Sequence, residues 1–374
     1  MKKKLGLILN IFFVVFFGVS IIFILAHYGN SAIDLSPNQS KKIEFWTWMN
    51  DPISADAHTD SLFAELNDVG IDGVIIGAPA ESLRKIIPVA HKYGIKVHAW
   101  TWIMNSGSLA NKHPEWLDYN ALGQSIKDDK AYVGYYKFIS PAIKEARDSI
   151  IAHITKISSI DSLDGISLDY CRYVDVILPS ALWKNYDIHQ DKVFAKWDYG
   201  YHPSMLSAFK DKYGYSPLDK IKVKNDYDTI PYIKDWIDFR CEILNSLVKE
   251  ITDICHEKGV KVSASPFPTP KMAKKMVYQD WGAWNLDIVF PMSYNGFYNE
   301  NLQWVCDDIK DCVRDSKCPN QIYAGIYASD LFSLSIDEVV TKCIEAGANG
   351  ISIFMYSSLL PSQKKELKKV INKY

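Results

Sequence analysis

The stretch LDGISLDYCRYVD, residues 163–175, decides the fold. It opens as a strand, with Ile166 and Leu168 alternating with smaller or polar neighbours. It then runs into Asp169, Tyr170, Cys171, Arg172 and Tyr173. A strand that only packs has no use for a carboxylate, a guanidinium and two phenols at its end. The cluster therefore directs attention to what the strand is part of and which way that end faces.

Working outward from it, short β-rich runs alternate with helical patterns from Lys42 onward. Strands are expected at 43–49, 73–78, 96–102, 165–170, 261–267, 287–294, 322–328 and 350–356. Helical stretches follow them, among them ESLRKIIPVAHKYG and FRCEILNSLVKEITDICHEKG. The fifth helix rests on MVYQDWGAWN, residues 276–285. Several helices end at glycine just before the next strand: Gly70, Gly94, Gly259 and Gly347. Such alternation means parallel strands joined by helical crossovers. Eight units in a row predict an α/β fold of the closed (β/α)8 barrel type, over residues 42–374.

The surplus length is unevenly placed. Helix-to-strand connections are short, whereas about 35 residues follow the third strand and about 60 follow the fourth, an insertion at about 174–234. Strand-to-helix loops lie at the C-terminal face, where barrel enzymes place their active sites. Asp169 ends the fourth strand and shares parity with Ser167, so it points inward if Ser167 does. His98, Trp100 and Trp102 recur with period two on the third strand, as do Glu44, Trp46 and Trp48 on the first. Aromatic rings on the rim can stack on the flat apolar faces of sugars, or pack as core. Met292, Tyr294, Asn295, Tyr327 and Tyr356 lie at or just past the ends of strands six to eight. Gln279 and Asp280 are expected at the start of the fifth helix, where they could face a ligand or, for Asp280, cap the helix.

Composition bounds the rest. The chain has 374 residues, 48% hydrophobic and 13% aromatic, ample for a large core. A formal net charge of -2 gives no basic field for nucleic acid. No glycine-rich phosphate loop follows a strand, and no Cys/His cluster has zinc spacing, so neither metal nor cofactor is expected. Seven cysteines leave at least one thiol unpaired in a monomer, and Cys312 and Cys318 are near enough in sequence to pair. Lys2, Lys3 and Lys4 precede an uncharged run from Leu5 to Ala26. As a helix it spans roughly 33 Å, against a bilayer core of about 30 Å. Residues 1–27 therefore read as a membrane anchor with the rest outside the cytoplasm, or as a cleaved signal, and 28–41 as a linker.

Six segments occurring in order carry a resemblance: YYKFISPAIKEARDSIIAHI, LDGISLDYCRYV, FKDKYG, WIDFRCEILNSLV, YQDWGAWNLDIVFPMSYN and GANGISIFMYSSL. Together they resemble the glycosyl-hydrolase-like family 10 domain of bacterial surface and secreted proteins, from about Lys42 to the C-terminus. The resemblance implies a (β/α)8 barrel acting on glycosidic bonds, with Asp169 as the candidate catalytic residue and Arg172 and Tyr173 matching the Arg-Tyr pair that follows it. The family commonly shows two acids at this strand end; this chain has one, before Tyr170. It does not look like the true family 10 xylanases, which use glutamates at strands four and seven.

The expected activity is hydrolysis of a polysaccharide outside the cytoplasm. Glycoside hydrolysis uses two carboxyl groups flanking the bond. The pair read from the sequence is Asp169 with Asp280, with Asp51, Asp175 and Asp330 as reserves. The expected glycan contacts are Trp48, His98, Trp100, Trp102, Arg172, Tyr173, Gln279, Met292, Tyr294, Asn295, Tyr327 and Tyr356. The alternatives are a non-catalytic glycan-binding barrel and a transglycosylase remodelling a surface polysaccharide. An intact anchor makes the full chain fractionate with membranes and resist high-salt extraction; soluble protein beginning near residue 27 would show a cleaved signal instead.

Overall fold

The structure is a computed structural model that describes residues 42–53, 58–128, 131–318 and 321–374. The expected anchor and linker lie outside them. Among the described residues no helix is long and apolar enough to cross a membrane.

Eight parallel strands form one sheet: β1 Glu44–Asn50, β2 Gly73–Gly77, β3 Lys96–Trp102, β4 Gly165–Asp169, β5 Lys261–Ala264, β6 Ile288–Val289, β7 Tyr323–Tyr327 and β8 Gly350–Phe354. They pair in sequence order, and β8 returns to β1. The remaining seam, β6 to β7, is joined by two isolated parallel bridges, Val289 to Ile322 and Met292 to Gly325. The sheet is thus a nearly closed (β/α)8 barrel. Strands five and six are shorter than their sequence runs because Pro266, Pro268 and Pro291 lack the N–H a ladder needs.

Eight main helices surround it: α1 Thr59–Val69, α2 Ala80–Lys92, α3 Lys144–Ile157, α4 Lys234–Glu257, α5 Pro270–Val277, α6 Leu302–Asp315, α7 Ile336–Glu345 and α8 Pro361–Ile371. Each turns an apolar stripe inward; α1 buries Phe63, Leu66 and Val69, three residues apart along one helical face. It stops at Gly70, whose φ of 98° returns its N–H to Leu66 and Asn67. The fifth helix is displaced from its expected place. Thr269 caps it through its hydroxyl and Pro270 occupies its first turn, so 276–285 is its end and the turn beyond. The connections β3–α3 and β4–α4 carry short helices at 107–112, 183–186 and 203–213.

The two faces of the sheet hold different cores. Outside, aliphatic side chains pack under the helices. Inside, a separate cluster contains Trp46, Trp48, Ile75, Ile288, Phe290 and Tyr323, with Trp100 and Phe354 against it. These rings fit because glycines stand beside them. A Cβ on Gly73 would lie 2.5 Å from the Trp46 ring, and one on Gly165 2.3 Å from His98 Nε2. His98 is consequently a filler of the barrel rather than a cleft residue. It is 1% exposed, its Nδ1 lies 2.8 Å from Ser263 Oγ, and burial pushes its pKa down to about 4.

None of the seven cysteines is disulfide-bonded; Cys312 is buried beside Asp308 and Cys318 faces the Trp284 carbonyl. Gly165→Ala should lower stability by about 1–3 kcal/mol, the usual cost of overpacking, in urea unfolding. His98→Ser should recover part of that loss in the double variant, because the two positions share one volume.

Candidate active site

The inward parity of β1, β3 and β4 carries three rings and one carboxyl to the C-terminal face. Register pairs Trp102 with Asp169 and Trp100 with Ser167. Above them opens a cleft of about 390 Å³. Trp48, Trp100, Trp102, Asp169, Arg172, Met292, Tyr294 and Tyr327 line it, as the sequence indicated. The long loops add Val133, Tyr135, Tyr136, Tyr170, Asp175, Leu178 and Tyr186. The later strand ends add Ser265, Phe267, Phe297, Tyr298 and Phe354.

Asp169 is held by two donors. Trp100 Nε1 donates to Oδ2 at 2.9 Å, and the Tyr170 amide to Oδ1 at 2.6 Å. Tyr170 itself has a φ of 48°, a left-handed conformation uncommon for an aromatic residue. That turn ends the strand and lays the Tyr170 ring 4.5 Å from Trp102. Burial raises the Asp169 pKa above the ordinary carboxylate range; the Trp100 and Tyr170 hydrogen bonds, and then the charge of Arg172, oppose it.

Arg172 acts on Asp169 through its charge, which opposes the rise in pKa, while its contacts lie with other groups. Its guanidinium meets Asp175 at 3.4 Å and donates to the Tyr173 carbonyl at 2.8 Å and to the Tyr136 hydroxyl at 3.0 Å. Four rings surround it, those of Tyr170 and Phe267 with centroids at 5.0 Å. Asp175 in turn accepts from the hydroxyls of Tyr132 and Tyr136, each at 2.8 Å. This buried network fixes the first turn of the β4–α4 loop. Ser265, beside Asp169 through its N–H to the Leu168 carbonyl, lines the cleft with a buried hydroxyl that has no partner among the described residues.

The other expected site residues lie elsewhere. Asp280 follows the end of α5 and pairs with Lys274 at 3.6 Å, off the cleft. Gln279 is buried, bridging the Cys171 carbonyl and the Phe267 amide. Tyr173 is buried with its hydroxyl on the Arg240 carbonyl. Tyr356 points outward to Glu65 of α1, and Asn295 bonds the Glu300 carbonyl. Of the reserves, Asp330 is raised by burial and accepts from the Gly296 amide, but does not line the cleft; Asp51 accepts from the Ile53 amide. The missed tyrosines had a sequence signal: YYKF, at 135–138, sits in one of the two long loops. Among the described residues no cluster of three or more His, Cys, Asp or Glu could hold a metal ion.

A glycosidase-like barrel with an aromatic cleft over the fourth strand is thus the class that the fold and cleft define. The description "Glycosyl hydrolase-like 10" matches residues 54–331, and the chain belongs to that family. An S-layer-related protein of Niallia circulans is 25% identical over 206 residues, which cover 50% of this chain and 12% of that protein. Among solved structures, the PgaB (BpsB) glycoside hydrolase domain from Bordetella bronchiseptica superposes with a TM-score of 0.61 at 11% identity, covering 88% of this chain and 99% of its own. A β-galactosidase from the psychrophilic Marinomonas ef1 gives 0.61 at 13%, covering 88% and 59%. An α-L-fucosidase from Paenibacillus thiaminolyticus gives 0.56 at 11%, covering 89% and 49%. At such identities the likeness is one of fold.

Asp175→Asn removes the carboxylate facing the buried Arg172 and should cost about 3–5 kcal/mol in urea unfolding. Asp280→Asn, touching a partly exposed pair, should change stability by less than about 1 kcal/mol.

Proposed function

We propose that this chain is a glycoside hydrolase acting on a polysaccharide, with Asp169 as the acid that protonates the leaving glycosidic oxygen. The observation that carries the reading is a half-buried carboxyl with a raised pKa on an aromatic-walled cleft at the C-terminal end of β4. A general acid must hold its proton near working pH, and removal from water favours the protonated form. Asp175, the other carboxyl on the cleft, replaces Asp280 as second candidate. In this reading it serves as base toward a water, or faces the positive charge that develops on the sugar ring. Trp102 and Tyr135, 44% and 53% exposed, supply stacking faces for sugar rings at the rim. A location outside the cytoplasm, tethered through residues 5–26 or released after cleavage, completes the proposal.

A second reading is a barrel that binds glycans without cleaving them. It is favoured by the engagement of Asp175 with two tyrosines and an arginine, which leaves it little freedom to act on a water. Release of reducing sugar from a panel of polysaccharides separates the two readings. For the hydrolase, Asp169→Asn should lower kcat by about 10²–10⁴-fold while binding persists. Wild-type activity of that variant on a cleaved substrate would overturn the role of Asp169.

The pH profile tests the same assignment. The acid acts when protonated, so kcat/KM should fall as pH rises through the Asp169 pKa, above the ordinary carboxylate range. Trp100→Phe removes a hydrogen bond that stabilises the ionised form. It should therefore move the basic limb upward, by roughly half to one pH unit for a bond worth about 1 kcal/mol.

A further inference from the structure

A second concavity, of about 340 Å³, lies between the start of α4, the face of α5 and the β4–α4 segment. Its apolar lining includes Ile177, Ile230, Ile233 and Trp236, and every charged residue on it is cationic: Arg240, Lys271, Lys274 and Lys275. Two of these cations are already compensated. Arg240 is buried against Asp198 at 2.7 Å, and Lys274 meets Asp238 at 3.1 Å as well as Asp280. Lys271 and Lys275 form no ion pair with a described residue. They stand four apart on α5, hence on one face, and are exposed. Beside them Tyr232 is 79% exposed, a large ring left in water on the groove's edge.

This groove is separated from the cleft by a single stretch of chain. The Tyr173 and Val176 amides donate to the last carbonyls of α5, those of Val277 and Met276. On that stretch Asp175 and Leu178 line the cleft and Ile177 lines the groove. We propose that the groove is a second saccharide-binding site, which takes a carboxylate-bearing stretch of polysaccharide beyond the part held in the cleft. The proposal rests on the polysaccharide reading above. The two exposed ammonium groups, neither in an ion pair with a described residue although the charge of Lys271 reaches Asp315, meet sugar carboxylates, and the exposed Tyr232 ring stacks on a sugar face. Because the lysines are exposed, binding weakens as salt rises.

The test is binding of the full chain to immobilised polygalacturonate at low salt, with hydroxyethylcellulose as neutral polymer and inorganic polyphosphate as a polyanion without sugar. The wild type should bind polygalacturonate, and Lys271→Glu/Lys275→Glu should weaken that binding at least tenfold. Tyr232→Ala should weaken it about threefold. Lys365→Glu/Lys369→Glu on α8, which changes net charge equally, should not alter it. The proposal is overturned if the wild type does not bind, or if the Lys271/Lys275 variant binds as the wild type does. It is also overturned if polyphosphate binds as well as polygalacturonate with the same dependence on the two lysines. Binding that survives in that variant but is lost in Trp100→Ala would place the polymer in the cleft and overturn the groove. Each of these failures leaves hydrolysis and its dependence on Asp169 untouched, whereas failure of the hydrolase reading leaves lysine-dependent binding in place.

Discussion

The barrel interior is a fixed volume into which this sequence places four large aromatic residues and a histidine, and glycine is what lets them in. Gly73 yields to Trp46, Gly165 to His98 and Gly350 to Tyr323, each with a hypothetical Cβ inside 3 Å of the ring. The consequence reaches the site. With the lower layers filled by Trp46, His98 and Phe290, Trp100 sits at the top of the stack, half-buried and with its Nε1 turned to Asp169. A hydrogen bond made from a ring wedged in a packed core costs little to orient, since the ring has few other places to go. The carboxyl is positioned by packing as much as by polar contact.

The long loops are held by a different device. Two buried arginine–aspartate pairs, Arg172 with Asp175 and Arg240 with Asp198, lie at the two ends of the β4–α4 segment's path over the barrel. Each carboxylate also accepts from tyrosines: Asp175 from Tyr132 and Tyr136, Asp198 from Tyr201 and Tyr278. Desolvating such a pair is expensive, and the phenol hydrogen bonds and ring faces offset that cost. Asp118, buried near the second pair, is pushed up to about 7, chiefly by desolvation. These loops are therefore anchored rather than draped, which gives the cleft's tyrosines fixed positions.

Period-two alternation was legible because in a parallel barrel it maps directly onto inside and outside. It placed Trp48, Trp100, Trp102 and Asp169 on the inner face without any alignment. Height along the barrel axis was not legible: His98 has the same parity as Trp100, yet lies two residues lower, opposite Gly165, where the interior is closed. Past a strand end parity ceases to apply. Tyr170 turns left-handed, and with that turn Tyr173 swings behind the loop. Asp280 was misplaced for a related reason. PTPKMAKK, 268–275, falls in neither the expected fifth strand nor the expected fifth helix, although Thr269 and Pro270 form an ordinary helix start. YYKF marks Tyr135 and Tyr136 as aromatics of a long loop, but which loops meet over the barrel, and so the contribution of Tyr186 and Tyr298, no local pattern encodes.

In the proposed chemistry the cleft's two carboxyls take different roles, and their surroundings differ. Asp169 has two neutral donors and no close cation, so burial dominates and its pKa rises. Asp175 meets a guanidinium at 3.4 Å and accepts from two phenols. Reversing the roles would need Arg172 to leave Asp175 for Asp169, breaking its bonds to Tyr136 and the Tyr173 carbonyl within a buried ring cage. The asymmetry is thus built into the first turn after β4: a left-handed Tyr170 keeps Arg172 within electrostatic reach of Asp169 while its guanidinium is spent on Asp175. In the proposed chemistry, that turn keeps the guanidinium off the carboxyl that acts as acid.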